Sequence, residues 1–254
     1  SIMKQLMQQK SGLSRALNKE QARAHSHQEP AKYPVLVAHG TGAAQHLHPP
    51  RLQHPGLHQQ AQGRPEASLD LFQTIPTVWV KERTLVRRAS ALWQRLPVHF
   101  QHLFNAIFWD SRRLHRYLVG ASSLKGHHSC VHGNLWHTLE VAEQALRMAQ
   151  GQPLACPEVL LMAALLHDAG KADEYRLGYS GLELTTRGKL VGHRNTIIEW
   201  IAAAIAHARI ALPESHYLGL IHALTSARGA PDWLGLREPC TLDAVLLSAA
   251  DRLS

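Results

Sequence analysis

The stretch from Pro157 to Lys171 restricts this chain more than any other. Pro157 opens an apolar run, Val159 to Leu166, which ends in His167-Asp168-Ala169-Gly170-Lys171. A proline at a first helical turn and a glycine past the last one bound a helix over 157–167. The run falls well short of the ~20 residues that span a bilayer, as does the other long apolar stretch, 197–206. No transmembrane helix is expected. What remains is a helix of the protein core whose end carries an adjacent imidazole and carboxylate, with a glycine that lets the chain leave without steric penalty. A His nitrogen and an Asp oxygen suit borderline or hard divalent cations. Alone, such a doublet also describes an ordinary solvated helix end.

Two further segments change that balance. In Gly133-Asn134-Leu135-Trp136-His137-Thr138-Leu139-Glu140-Val141, His137 stands near the start of an amphipathic helix. Asp251 ends the apolar helix 242–250, where a lone carboxylate among Leu246, Leu247, Ala249 and Ala250 requires a partner. Taken singly, His137 also reads as a hydrogen-bonded core histidine. The ordered series His137, His167-Asp168, Asp251, each on its own helix, points much more specifically to a cation site.

The rest of the chain supplies the frame. With 254 residues, 45% of them hydrophobic, the sequence supports one folded domain plus an extension. Residues 1–68 are rich in Gln, His, Pro, Gly and Ala and are punctuated by Pro30, Pro34, Pro49, Pro50, Pro55 and Pro65. They are expected to be a poorly ordered extension. Within it, Val35-Leu36-Val37-Ala38 suits one short strand, and the histidines from His25 to His58 lack the fixed spacing of a metal tract. Residues 69–91 are expected as a connecting ordered segment and 92–254 as the main domain. Helical periodicity predicts helices over 85–96, 98–108, 111–119, 136–149, 157–167, 194–208, 215–225 and 241–251. Residues 182–186 and 189–191 suit a hairpin turning at Arg187-Gly188. The expected fold class is therefore all-α, a helical bundle with a small β-hairpin and an N-terminal extension.

Composition also narrows the setting. Gln5, Gln8, Gln9 and Lys10 interrupt any apolar signal-peptide core, and Cys130, Cys156 and Cys240 form no CxxC pair or disulfide framework. The cytoplasm is the expected compartment, with no membrane partner. A net charge of +8 favours polyanionic partners, although the Lys and Arg residues are scattered.

Taken together, His127-His128, Gly133 to Thr138, His167-Asp168-Ala169-Gly170-Lys171 and Thr185-Thr186-Arg187-Gly188-Lys189-Leu190-Val191-Gly192-His193 resemble the HD superfamily of metal-dependent phosphohydrolases, over about 160 residues from Leu92 onward. They look like the YhaM-type 3′-to-5′ exoribonuclease branch. The His-His and Gly-x-Leu-x-His-Thr elements are also similar to the HD domain of MobH-type conjugative relaxases. The resemblance implies a helical HD bundle in which His137, His167, Asp168 and Asp251 bind a divalent metal. In two-metal branches Asp168 bridges the ions, and His193 and His222 are the candidates for a second site.

The chain departs from that pattern after His222. Relatives carry a His-His pair where this sequence reads Thr225-Ser226-Ala227-Arg228-Gly229, so one metal is expected rather than two. Mn²⁺ is the first candidate, with Mg²⁺, Fe²⁺, Ni²⁺ and Zn²⁺ compatible. The implied chemistry is hydrolysis of a phosphate ester by metal-activated water. Asp168, Lys171 and Arg228 are the candidate catalytic residues, the two cations neutralising charge on the phosphate. His127, His128 and Lys171 are the candidates for holding substrate. The expected substrate is single-stranded RNA or DNA, or a nucleotide. The alternatives are the HD domain of a conjugative relaxase, and a degenerate module that binds metal or nucleic acid without cutting it.

Overall fold

The computed structural model describes residues 65–254 apart from 67, 124–127, 179–180, 231–232 and 234. The expectations for residues 1–64, including the strand at Val35 to Ala38, lie outside the described residues, as does His127. A short 3₁₀ turn, Leu71–Thr74, precedes α1 (Arg83–Gln94), α2 (Val98–Phe108), α3 (Ser111–Val119), α4 (Gly133–Ala149), α5 (Pro157–Leu166) and the single turn α6 (Lys171–Glu174). Then come strands β1 (Tyr175–Gly178) and β2 (Gly181–Leu184), followed by α7 (Thr186–Leu190), α8 (Gly192–Ala208), α9 (Glu214–Thr225) and α10 (Leu242–Leu253). The fold is all-α with one two-stranded antiparallel hairpin, in which Tyr175 pairs with Leu184 and Leu177 with Leu182. No helix among the described residues is long and apolar enough to cross a membrane.

The helix at the centre is the one the apolar run demands. Every residue of α5 from Val159 to Leu166 is buried, because α4, α9 and α10 all pack on it. At about 1.5–3 kcal/mol for each large apolar side chain removed from water, this helix carries a large share of the folding drive. Its start is tied to α10, where Asp243 Oδ1 accepts the Cys156 N–H at 2.8 Å. Near its end the buried Tyr117 hydroxyl of α3 donates to the Leu165 carbonyl at 3.2 Å. Residues 69–91, expected as a connector, place Leu71, Phe72, Ile75, Val80, Leu85 and Val86 in the same core.

Side-chain caps set several boundaries. Asp110 accepts from Arg112 N at the start of α3, and Thr241 accepts from Ala244 N at the start of α10. One expectation is corrected. The hairpin does not turn at Arg187-Gly188, which lies within α7. The Thr185 hydroxyl accepts from Gly188 N at 2.9 Å, starting a helix where a turn was expected. The segment Leu182 to Leu184 pairs instead with the preceding residues of β1.

Candidate metal centre

Three helix ends meet in one place. His137 enters from the second turn of α4, His167 and Asp168 from the end of α5, and Asp251 from the last turn of α10. The ligand atoms of His137, His167 and Asp251 all lie within 4.8 Å of one another. His137 Nε2 stands 3.2 Å from His167 Nε2 and 3.1 Å from Asp251 Oδ1, and His167 Nε2 stands 3.6 Å from that oxygen. Asp168 Oδ2 lies 3.4 Å from His137 Nε2 and 3.6 Å from His167 Nε2. Donors bound to one first-row cation at about 2.0–2.2 Å stand roughly 3–3.5 Å apart, so the two imidazoles and the Asp251 carboxylate are spaced for a single ion, with Asp168 against both imidazoles.

Electrostatics inside the cluster show what a cation would replace. Burial opposes charge on His137, yet its hydrogen bonds to Asp168 and Asp251 outweigh that and raise its pKa to about 9. Burial works against the Asp168 carboxylate, but the charge of His167 and hydrogen bonds from His137 and Lys171 hold its pKa well below the ordinary carboxylate range. Hydrogen bonds from His137 and His167 lower that of Asp251. Without a metal, a proton on His137 serves as the local positive charge between two ionised carboxylates. A divalent ion supplies the same compensation and displaces that proton.

Each imidazole is oriented from behind. His167 Nδ1 meets the Ala164 carbonyl at 2.7 Å, so it carries the proton and leaves Nε2 as the donor atom. His137 Nδ1 lies 3.0 Å from Ser254 Oγ, which donates to Glu140 Oε2 at 2.8 Å. Glu140 in turn sits 3.1 Å from His128 Nε2 and accepts from Trp136 Nε1 at 2.9 Å. His128 thus reaches the site through Glu140, and the backbone at His128 and His132 takes φ values of 60° and 66°.

The second flank is built around Asp168. Its Oδ2 is held by Lys171 Nζ and lies 3.4 Å from the Ser122 hydroxyl, while its Oδ1 faces His193 Nε2 at 3.6 Å. His193, at the start of α8, is fixed by Glu174 Oε2, which lies 2.6 Å from both its backbone nitrogen and its Nδ1. Gly170 explains the tight approach of α8. Its backbone is ordinary right-handed helical, with φ of −62°, so it is no left-handed helix stop. A Cβ there would lie 2.1 Å from the His193 carbonyl oxygen, and only glycine leaves room for it.

A groove of about 450 Å³ opens beside the cluster, lined by His167, Asp168, Lys171, His193, Arg228 and Asp251 among others. Arg228 is exposed at its rim. His222 is not part of this lining, because its Nε2 accepts the Cys240 N–H at 2.8 Å. The structure thus brings together His137, His167, Asp168, Asp251, His193, Lys171 and Arg228, and leaves His222 apart. Ser122, Glu174 and Ser254 were not foreseen. They carry no motif, and only the fold brings them to the site.

A helical domain that gathers two imidazoles and two carboxylates from three helix ends is suited to hold a metal ion. Residues 135–254 match the family model described as HD domain, a match that implies a divalent metal ion. Among curated proteins, the chain is 28% identical over 162 residues to the 3′-5′ exoribonuclease YhaM of Bacillus licheniformis, covering 60% of this chain and 51% of the relative. It is 28% identical over 132 residues to the YhaM protein of a Geobacillus species, covering 52% and 40%, and 26% identical over 162 residues to that of Bacillus subtilis, covering 60% and 51%. The chain thus spans about half the length of the curated relatives it matches or less. No solved structure matches it.

Proposed function

We propose that this chain is a metal-dependent phosphodiesterase that cuts single-stranded nucleic acid, RNA first. The observation that carries this reading is the convergence of His137, His167 and Asp251 within 4.8 Å, with Asp168 against both imidazoles and Lys171 beside it. Similarity to proteins named 3′-5′ exoribonucleases supports the choice of substrate. We assign His137, His167, Asp168 and Asp251 to one divalent ion, with Mn²⁺ the first candidate. Such an ion lowers the pKa of water and polarises a phosphoryl oxygen.

The reaction adds water across a phosphodiester. A water oxygen bonds to phosphorus, the opposite P–O bond breaks, and the departing oxygen gains a proton. The chain's own residues set up that exchange. His137 and His167 are locked by Ser254 and the Ala164 carbonyl, so the two imidazoles keep their spacing without reorganising. Asp168 stays ionised and is positioned by Ser122 and His193. Lys171 and Arg228 face the same groove and offset charge that builds on the phosphoryl oxygens. Ala227 and Arg228 line the groove where the resemblance implies a His-His ligand pair, which supports one ion rather than two, with the guanidinium as a fixed positive charge. His128 steadies the loop leading into α4 through Glu140. The three free thiols fit a reducing compartment, and we place the protein in the cytoplasm.

The test is product analysis. End-labelled single-stranded RNA and DNA of the same sequence are incubated with Mn²⁺, and fragments are resolved over time. Stepwise release of mononucleotides from RNA supports the exoribonuclease reading. Cleavage of a simple aryl phosphodiester without any cleavage of RNA or DNA would replace it with a small-molecule phosphodiesterase.

A further inference from the structure

The groove holds more positive charge than one phosphodiester can use. Lys171, Arg194, Arg228 and Arg252 line it against only two carboxylates, Asp168 and Asp251, before any divalent ion is added. Lys171 is engaged by Asp168. The three arginines come from different elements: Arg194 from the first turn of α8, Arg228 from the segment between α9 and α10, and Arg252 from the end of α10. All three are exposed. Among the described residues, the side chains of Arg194 and Arg228 form no ion pair, and that of Arg252 meets only the Ser248 hydroxyl, at 3.1 Å. The half-buried Arg88 and Arg116, away from the groove, are paired with Glu143 and Asp173.

Unpaired guanidinia ringing a groove favour an anionic ligand with several charges, since each can fork onto a phosphate. A volume of about 450 Å³ also exceeds what one phosphate group fills. Building on the phosphodiesterase reading, we propose that Arg194 and Arg252 form a subsite for the backbone phosphates next to the scissile one. The preferred ligand is then an oligonucleotide strand with internal phosphates rather than a mononucleotide or a single phosphodiester. These two arginines are positioning residues, because they hold phosphates that do not react.

Two readouts on the same proteins test this. Binding of a dye-labelled single-stranded decanucleotide is followed by fluorescence anisotropy between 50 and 300 mM salt, and hydrolysis of bis-p-nitrophenyl phosphate with Mn²⁺ is followed by absorbance. For Arg194→Gln and Arg252→Gln, strand binding is expected to weaken about tenfold each, and the slope of log affinity against log salt to flatten by roughly 0.7 per lost phosphate contact. Hydrolysis of the small diester is expected to stay within about twofold of wild type. Unchanged strand affinity and slope in both variants would overturn the subsite and leave the phosphodiesterase reading intact. Equal loss on the strand and the small diester would also overturn it, since the arginines would then act on the reacting phosphate. Failure of the wild type to hydrolyse both the small diester and the strand with any divalent ion would sink the phosphodiesterase reading instead, while arginine-dependent strand binding would still support the subsite.

Discussion

Replacing Gly170 by alanine tests how the fold positions its metal centre. The added Cβ would stand 2.1 Å from the His193 carbonyl oxygen and 2.8 Å from its carbon, where ordinary contact begins near 3.4 Å. The obstacle is backbone, so no rotamer relieves it, and the start of α8 must retreat by about 1 Å. That movement takes His193 away from Asp168, whose atoms now lie 3.6 Å apart, and strains the Glu174 contacts that hold His193. Overpacking of this kind costs about 1–3 kcal/mol, or roughly 2–10 °C in Tm for a domain of this size. A displacement of about 1 Å at a reacting site costs on the order of 10²-fold in rate. Gly219→Ala is the control, because its Cβ would meet only the Val159 methyls, Cγ1 at 3.2 Å and Cγ2 at 3.7 Å, and replaces a helical glycine. That change is expected to leave the stability within about 1 kcal/mol of wild type or to raise it. The assays are thermal unfolding by circular dichroism and Mn²⁺-dependent diester hydrolysis. A Gly170→Ala protein with wild-type Tm and activity would refute the account of this glycine.

Three other outcomes are expected. Ser254→Ala removes the group between His137 Nδ1 and Glu140, and should weaken Mn²⁺ affinity by roughly 10–100-fold in calorimetric titration, with Ser254→Thr restoring most of it. Asp243→Ala leaves the Cys156 N–H without its acceptor and should cost about 1–3 kcal/mol in urea unfolding, whereas Asp243→Asn keeps an acceptor and should cost less. In the metal-free protein, the raised His137 pKa contributes stability that is present below its ordinary 6.5 and lost as pH rises towards 9. The lowered Asp168 and Asp251 values contribute stability present above the ordinary 3.8 and lost as pH falls below it. Urea midpoints should therefore fall on both sides of a plateau between these limits, and calorimetry in buffers of different ionisation heat should show proton release on Mn²⁺ binding at pH 7.

The helices were legible because periodicity and local caps act within a few residues. Residues 98–108 and 111–119 stand as read, and 157–167 differs by its last residue, since Pro157 and Asp110 set starts without help from the rest of the fold. The hairpin was misplaced because its choice of partner is tertiary, and the Thr185 cap outcompetes a turn at Arg187-Gly188. Gly170 was read as a helix stop, whereas its reason is a backbone 23 residues onward, at His193, which no local pattern reveals. The ordered series His137, His167-Asp168, Asp251 was visible because each ligand sits on its own helix at an apolar end. Ser122, Glu174 and Ser254 stayed hidden, since a serine or glutamate gains its role only from what the fold brings within 3 Å or so. His222 looked like a further ligand by its helical context, yet its ring turns to the Cys240 backbone.

The most direct measurement is Mn²⁺-dependent cleavage of labelled single-stranded RNA by wild type and by Asp168→Ala, with bound metal counted by elemental analysis in the same samples. The account predicts about one ion per chain and cleavage in the wild type, with cleavage in the variant lost by on the order of 10³-fold or more. Equal cleavage by both proteins, or a wild type that takes up no metal, would contradict it.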